Sequence, residues 1–214
     1  MKMEEQTTEE TMAEYTNRLW REQQAADALR SIPDKYRGGF DSFDPEIHRD
    51  YRSLFETAKR YAAGFQFETR HGLRLIGTAG SGKTHLLCGI VLAIAKRGFR
   101  VRLQNMVDLY IAWKSTFADD SEESESDLRH NLMKADLLAL DDLGRDKSTE
   151  AFDLFVYWLI NSRYNKCKPV LMTSNLGREG LEKRYGEAVV SRLYEMTESV
   201  GKFPQIDNRK RATK

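Results

Sequence analysis

Residues 77–84 read Gly-Thr-Ala-Gly-Ser-Gly-Lys-Thr, the spacing G-x-x-x-x-G-K-[ST], with an apolar run on either side. Glycines at Gly77, Gly80 and Gly82 let the backbone curl until its N–H groups converge, which suits the oxygens of a phosphate chain. A helix starting behind the loop adds its own free N–H groups and its dipole. Lys83 is spaced to reach the outer phosphates, and the Thr84 hydroxyl to hold Mg²⁺. A glycine-rich turn without a ligand is the competing reading. The complete spacing and the strand-loop-helix context argue against it.

A second cluster lies where LLALD meets another acid, at Asp141 and Asp142. Carboxylates at the end of an apolar strand are costly unless a cation meets them. At the tip of a strand neighbouring the phosphate loop, Asp141 would complete an Mg²⁺ shell with Thr84, which leaves Asp142 without an assigned partner. The run PVLMT ends in Ser174 and Asn175, putting an amide at a strand tip where it can position a water; as an isolated feature Asn there is a turn residue. In EAVVSRLYEM, Val189, Val190 and Leu193 mark an apolar helix face. Arg192 projects away from that face, where it would reach a neighbouring subunit's nucleotide or be simply solvated.

These residues need a scaffold. LRLIG, RVRLQ, LLALD and PVLMT are short apolar or β-branched runs separated by helix-length segments, which predicts a parallel sheet with crossover helices. Alternating Arg100 and Arg102 place RVRLQ at a sheet edge, whereas the fully apolar LLALD belongs in the interior. Upstream, Met12, Tyr15, Leu19, Ala26 and Leu29 recur at helical spacing and predict an amphipathic helix over about residues 9–30. SIPDKYRGGFDSFDP breaks it. Asp44 as N-cap and Pro45 at the first position then start a second helix with the stripe Ile47, Tyr51, Leu54, Phe55, Ala58 and Ala62.

The 214 residues suffice for one α/β domain plus a short appendage, and the net charge of +1 conceals strong patterning. Residues 1–50 carry 7 Lys/Arg against 12 Asp/Glu, residues 51–118 carry 11 against 3, and residues 119–150 carry 4 against 11. A basic block can bind a polyanion, although a solvated face leaves the same trace. Cys88 and Cys167 form no CxxC pair, so neither zinc nor a disulfide framework is indicated, and both are read as small core residues. The acidic start lacks a secretory pattern, and the longest apolar run, CGIVLAIA, is too short to span a bilayer, so a cytoplasmic protein with no membrane contact is predicted.

Together GTAGSGKTHLL, KADLLALDDLG, RYNKCKPVLMTSNL, the SRL element at Ser191–Leu193 and DNRK at Asp207–Lys210 resemble the AAA+ ATPases, specifically the DnaC/DnaI-type replicative helicase loaders and IstB-type transposition ATPases. The resemblance spans about residues 33–210. It implies ATP and Mg²⁺ as cofactors, a P-loop three-layer α/β fold, and an ATPase domain over 33–214 behind an N-terminal helical extension, 1–32, as a candidate partner-binding element. Gly77, Thr78, Ala79, Gly80, Ser81, Gly82, Lys83, Thr84 and His85 would line the nucleotide. Asp141 would be the Walker B magnesium ligand, Asp142 the base, Asn175 sensor-1, Arg192 an arginine finger acting in trans, and Arg209 a sensor-2-like arginine. Tyr36, Phe40 and Phe43 match the family's adenine-side lead-in, or are core packing. The family's helix pair between the second and third strands would offer Trp113, Lys114 and Phe117 to DNA, against an adjacent acidic loop.

Two departures follow. Asp142 stands where most AAA+ enzymes have Glu, a shorter reach that implies slow turnover and a switch-like use of ATP. Only five residues follow Arg209, which implies a small or missing lid domain. The leading expectation is an ATP-dependent loader placing a replicative helicase on single-stranded DNA as a head-to-tail homo-oligomer. The alternative is a transposition regulator on double-stranded DNA that recruits a transposase. A small-molecule phosphotransferase and a non-hydrolysing adaptor are further alternatives.

Overall fold

The computed structural model describes residues 11–208 apart from 119, 120, 122, 147 and 148. Five strands form one parallel sheet: β1 (Gly72–Ile76), β2 (Val101–Asn105), β3 (Leu137–Asp141), β4 (Val170–Ser174) and β5 (Thr197–Ser199), in the order β2-β3-β4-β1-β5. Successive side chains of a strand face opposite layers. Leu137 and Ala139 of β3 therefore join one hydrophobic cluster and Leu138 and Leu140 another. The first cluster packs α2 (Arg49–Gly64) and α3 (Lys83–Ala95) on one face. The second packs α4 (Met106–Ser115), α5 (Glu125–Lys134), α6 (Glu150–Asn165), α7 (Arg178–Tyr185) and α8 (Glu187–Glu195) on the other. The result is the expected three-layer sandwich, with β2 at the edge and β3 inside. The short edge strand β5 lay outside the sequence expectation, because TES carries no apolar run to announce it.

Several expectations change. The first helix, α1, runs Met12–Ser31, capped by Thr11, and of the predicted stripe only Leu29 packs against the core; the helix docks mainly through Gln24 and Ala28, with Ile32 behind and Trp20 Nε1 donating to Gly98 O at 2.6 Å. Met12, Tyr15 and Leu19 are exposed, and so is Ala26. Asp44 caps a single 3₁₀ turn, Pro45–Ile47, and α2 begins only at Arg49 behind His48, which leaves Ile47 exposed. Cys88 is buried as expected; Cys167 is exposed, with φ of 50° in the turn after α6. Trp113 is a core residue rather than a free contact, its ring 5.3 Å from Phe152, whereas Lys114 and Phe117 are exposed. Among the described residues no helix is long and apolar enough to cross a membrane.

Candidate nucleotide-binding site

The strand order brings the C-terminal tips of β1, β4 and β3 side by side, where open α/β sheets bind ligands. Gly77 follows β1 and donates its N–H to Ser174 O at the tip of β4, 3.2 Å away. The loop then turns through Gly80 (φ 75°) and Gly82 (φ 85°), conformations that favour glycine, and releases the chain into α3 at Lys83. Tyr51 of α2 braces it by donating its hydroxyl to Ser81 O at 3.0 Å, and Asn208 N donates to Gly80 O at 3.1 Å.

Lys83 is buried, and its ammonium donates to Gly77 O, Thr78 O and Asn175 Oδ1, each at 2.8 Å. Three neutral oxygens thus hold the cation inside the loop, and a phosphate would compete for it. Ser81 Oγ is fully buried without a partner among the described residues, as a cradle built for an anion would leave it. The loop fits a phosphate chain on both counts.

Beyond the lysine, Thr84 Oγ1 donates to Asp141 Oδ1 at 3.0 Å, and Thr173 Oγ1 donates to the same oxygen at 2.6 Å. Burial pushes the Asp141 carboxyl above the usual range, opposed by the Thr173 bond, with Asp142 adding repulsion. A hydroxyl and one carboxylate are the hard oxygens that Mg²⁺ takes alongside phosphates and water. Among the described residues no group of three or more His, Cys, Asp or Glu could hold a metal without such help. Asp142 diverges from its neighbour: at φ 58° it gives its N–H to Thr173 Oγ1 at 2.9 Å, and its carboxylate meets Arg145 Nη1 at 3.4 Å.

A cavity of about 300 Å³ joins these parts, lined by Ala79 to His85, Asp142, Arg145 and Asn175, with Lys35, Tyr36 and Phe43 on an aromatic flank. Gly77 and Thr78 stand behind it, serving Lys83 through their carbonyls. His85 turns toward the flank rather than the loop, its Nε2 2.8 Å from Ser42 Oγ and its ring 5.0 Å from Tyr36. Burial lowers its pKa, with a bond to Gly39 O opposing and Lys35 reinforcing. Phe40 packs against Phe55 and the α3 backbone at Gly89 instead of lining the cavity. Arg192 lies apart from this cavity on α8, donating to Ala188 O at 2.7 Å beside the Tyr157 and Tyr164 rings. Arg209 falls outside the described residues. Tyr51, Arg145, Thr173 and Asn208 were not assigned to the site from the sequence, Tyr51 being read only as a core residue. Thr173 and Asn208 had a signal there, in the TSN triplet and the DNRK element, and Arg145 had none.

A glycine loop between β1 and α3, with an acidic strand tip beside it and sheet order β2-β3-β4-β1-β5, defines a P-loop nucleotide-binding protein of the AAA+ type. The family described as IstB-like ATP binding protein matches residues 10–194, and the chain belongs to it. It is 30% identical over 146 residues to the replicative helicase loader DnaC of Buchnera aphidicola subsp. Schizaphis graminum, covering 68% of this chain and 59% of that protein. It is 31% identical over 155 residues to the phage-like element PBSX protein XkdC of Bacillus subtilis, covering 68% of this chain and 56% of that one. The chain thus spans less than two thirds of either curated relative. A crystal structure of the DnaC helicase loader superposes with a TM-score of 0.71 at 25% identity, covering 80% of this chain and 100% of that one.

Proposed function

We propose that this protein binds ATP with Mg²⁺, hydrolyses it slowly, and uses the nucleotide to assemble head to tail while it places a replicative helicase on single-stranded DNA. The observation that carries the ATPase reading is the meeting of Lys83, Thr84, Asp141 and Asn175 around one glycine loop at the tips of three parallel strands. Residues 77–84 hold the phosphates, and Thr84 and Asp141 hold Mg²⁺. The ion, when bound, supplies electrostatic stabilisation of the charge that develops on the phosphates. Asn175, released from Lys83, orients the attacking water, and Asp142 accepts its proton. Asp142 is held by Thr173 and Arg145 and is one methylene shorter than Glu, which keeps turnover low. Arg192 acts on the nucleotide of an adjacent subunit, so hydrolysis waits for assembly; a head-to-tail interface of this kind repeats into a ring or an open spiral.

The helicase reading draws on the likeness to DnaC and on α1, whose first half presents Met12, Tyr15 and Leu19 to solvent. Residues 1–32 are the helicase-binding element in this reading, and 33–214 the ATPase. The IstB-like family match favours a second reading, a transposition regulator that assembles on double-stranded DNA with a transposase. Sedimentation of the chain with ATP and with each form of DNA, followed by pull-down of a replicative helicase or a transposase, separates the two. Assembly that needs ATP and single strands together, with helicase retained, is the expected result. Assembly on duplex with transposase retained favours the second reading, and assembly independent of ATP sinks both.

A further inference from the structure

The turn after β3 is pinned along its backbone, Arg145 N donating to Asp142 O at 3.1 Å, and the Arg145 side chain is the loosely held one. Leu143 is buried, with its N–H on Thr173 O at 2.9 Å and its carbonyl accepting from Ser174 Oγ at 2.7 Å. Gly144, at φ 96°, donates its N–H to the Tyr185 hydroxyl at 2.9 Å. Asp146 is buried against Arg184 and Tyr185 of α7, and Arg184 is held in turn by Asp153 at 2.6 Å. The exception is Arg145, whose side chain is 58% exposed and enters the cavity that also holds Lys83, Thr84, Asp142 and Asn175. A pinned turn therefore presents one movable guanidinium to the cavity that Tyr36 and Phe43 also line.

Its present contact is weak. A single nitrogen reaches Asp142 Oδ2 at 3.4 Å, longer than the 2.7–2.9 Å of a good charge-assisted bond, and in solvent. A phosphate group, with two oxygens in reach, offers the same guanidinium a stronger, bidentate partner. Lys83 serves the glycine loop and Lys35 lies beside the aromatic rings, whereas Arg145 is the cation in contact with Asp142, where it can offset the repulsion that Asp142 would exert on an incoming phosphate. We propose that Arg145 recognises the terminal phosphate of a nucleoside triphosphate, leaving Asp142 as it does so, and that this exchange makes the site prefer triphosphate over diphosphate and frees the Asp142 carboxylate. The inference rests on the nucleotide reading above and adds to it the residue that distinguishes the two nucleotides.

Calorimetric titration with ADP and with the non-hydrolysable AMPPCP, both with Mg²⁺, tests it. Arg145→Ala is expected to weaken AMPPCP about tenfold, the scale of one charge-assisted hydrogen bond, and ADP less than about twofold. Arg145→Lys recovers part of the loss. Asp142→Asn is expected to tighten AMPPCP a few-fold, by removing repulsion and by freeing Arg145, and the tightening should be smaller when Arg145→Ala is also present. Equal effects of Arg145→Ala on both nucleotides, no effect on either, or tightening that is undiminished in the double variant overturns the role of Arg145 alone. If the unaltered chain binds neither nucleotide, the nucleotide reading falls and takes this role with it. Unchanged melting temperatures of the variants exclude misfolding as the cause.

Discussion

The phosphate loop and helix α1 make an instructive pair, because both were marked in the sequence by spacing and only one kept the arrangement that its spacing implied. In the loop, the glycines, Lys83 and Thr84 fall where a phosphate chain needs them. In α1, the helix forms, but the stripe from Met12 to Leu19 faces solvent and anchoring falls to Trp20, Gln24, Ala28, Leu29 and Ile32. Loop spacing encodes covalent geometry: where φ must be positive, and how far a lysine reaches. A helical stripe encodes only that something apolar is wanted on one side. Whether the rest of the chain or another molecule covers it depends on where the helix ends up.

Substitutions at the two regions should behave oppositely. The largest effect is expected for Lys83→Ala, which should cost at least about 100-fold in ATP affinity by titration calorimetry, or ~2.7 kcal/mol; retained affinity would remove the phosphate-loop reading. Next, Ile32→Ala should lower stability by about 2–4 kcal/mol, seen as a lower urea midpoint at unchanged slope. A smaller effect of the reverse sign is expected for Asp141→Asn. Burial raises the pKa of this carboxylate, so at neutral pH its charge opposes folding, and its removal should raise Tm by about 2–4 °C while ending hydrolysis.

His85 gives a pH dependence. Its folded pKa lies below the ordinary value of about 6.5, so between the two the unfolded chain binds a proton that the folded chain does not. The contribution is full above about pH 6.5 and is lost as pH falls through the folded pKa. His85→Gln should flatten that limb of a Tm-versus-pH curve relative to the unaltered chain. The smallest change is expected for Leu19→Ala on the exposed half of α1: less than about 0.5 kcal/mol in the same urea assay. A larger loss would mean that this face is packed after all.

Much of the scaffold was legible. Four of the five strands and the edge position of β2 follow from short apolar runs and their alternation, because a strand buried on both faces needs apolar residues throughout. β5 escaped, since three residues at a sheet edge need little apolarity. Asp44 looked like an α-helix cap because Asp-Pro is a good start for any helical turn; in the fold His48 is extended and its Nδ1 accepts from Asp50 N at 3.2 Å, so the α-helix begins later. Trp113 and Lys114 looked alike as candidates for contact with a polyanion, and the helix phase buried the first while leaving the second exposed.

By itself the sequence determined the phosphate loop, the acidic strand tip and the parallel sheet, because each rests on local geometry or on a short period of side-chain direction. Only the tertiary structure decided how Asp141 and Asp142 part company. Adjacent in the chain, they are separated by a left-handed turn at Asp142 and by a threonine from the next strand: Thr173 donates to the first carboxylate and accepts the N–H of the second, and Arg145 meets the second alone. No local rule contains that division, since it comes from a neighbouring strand whose position the whole sheet had to set.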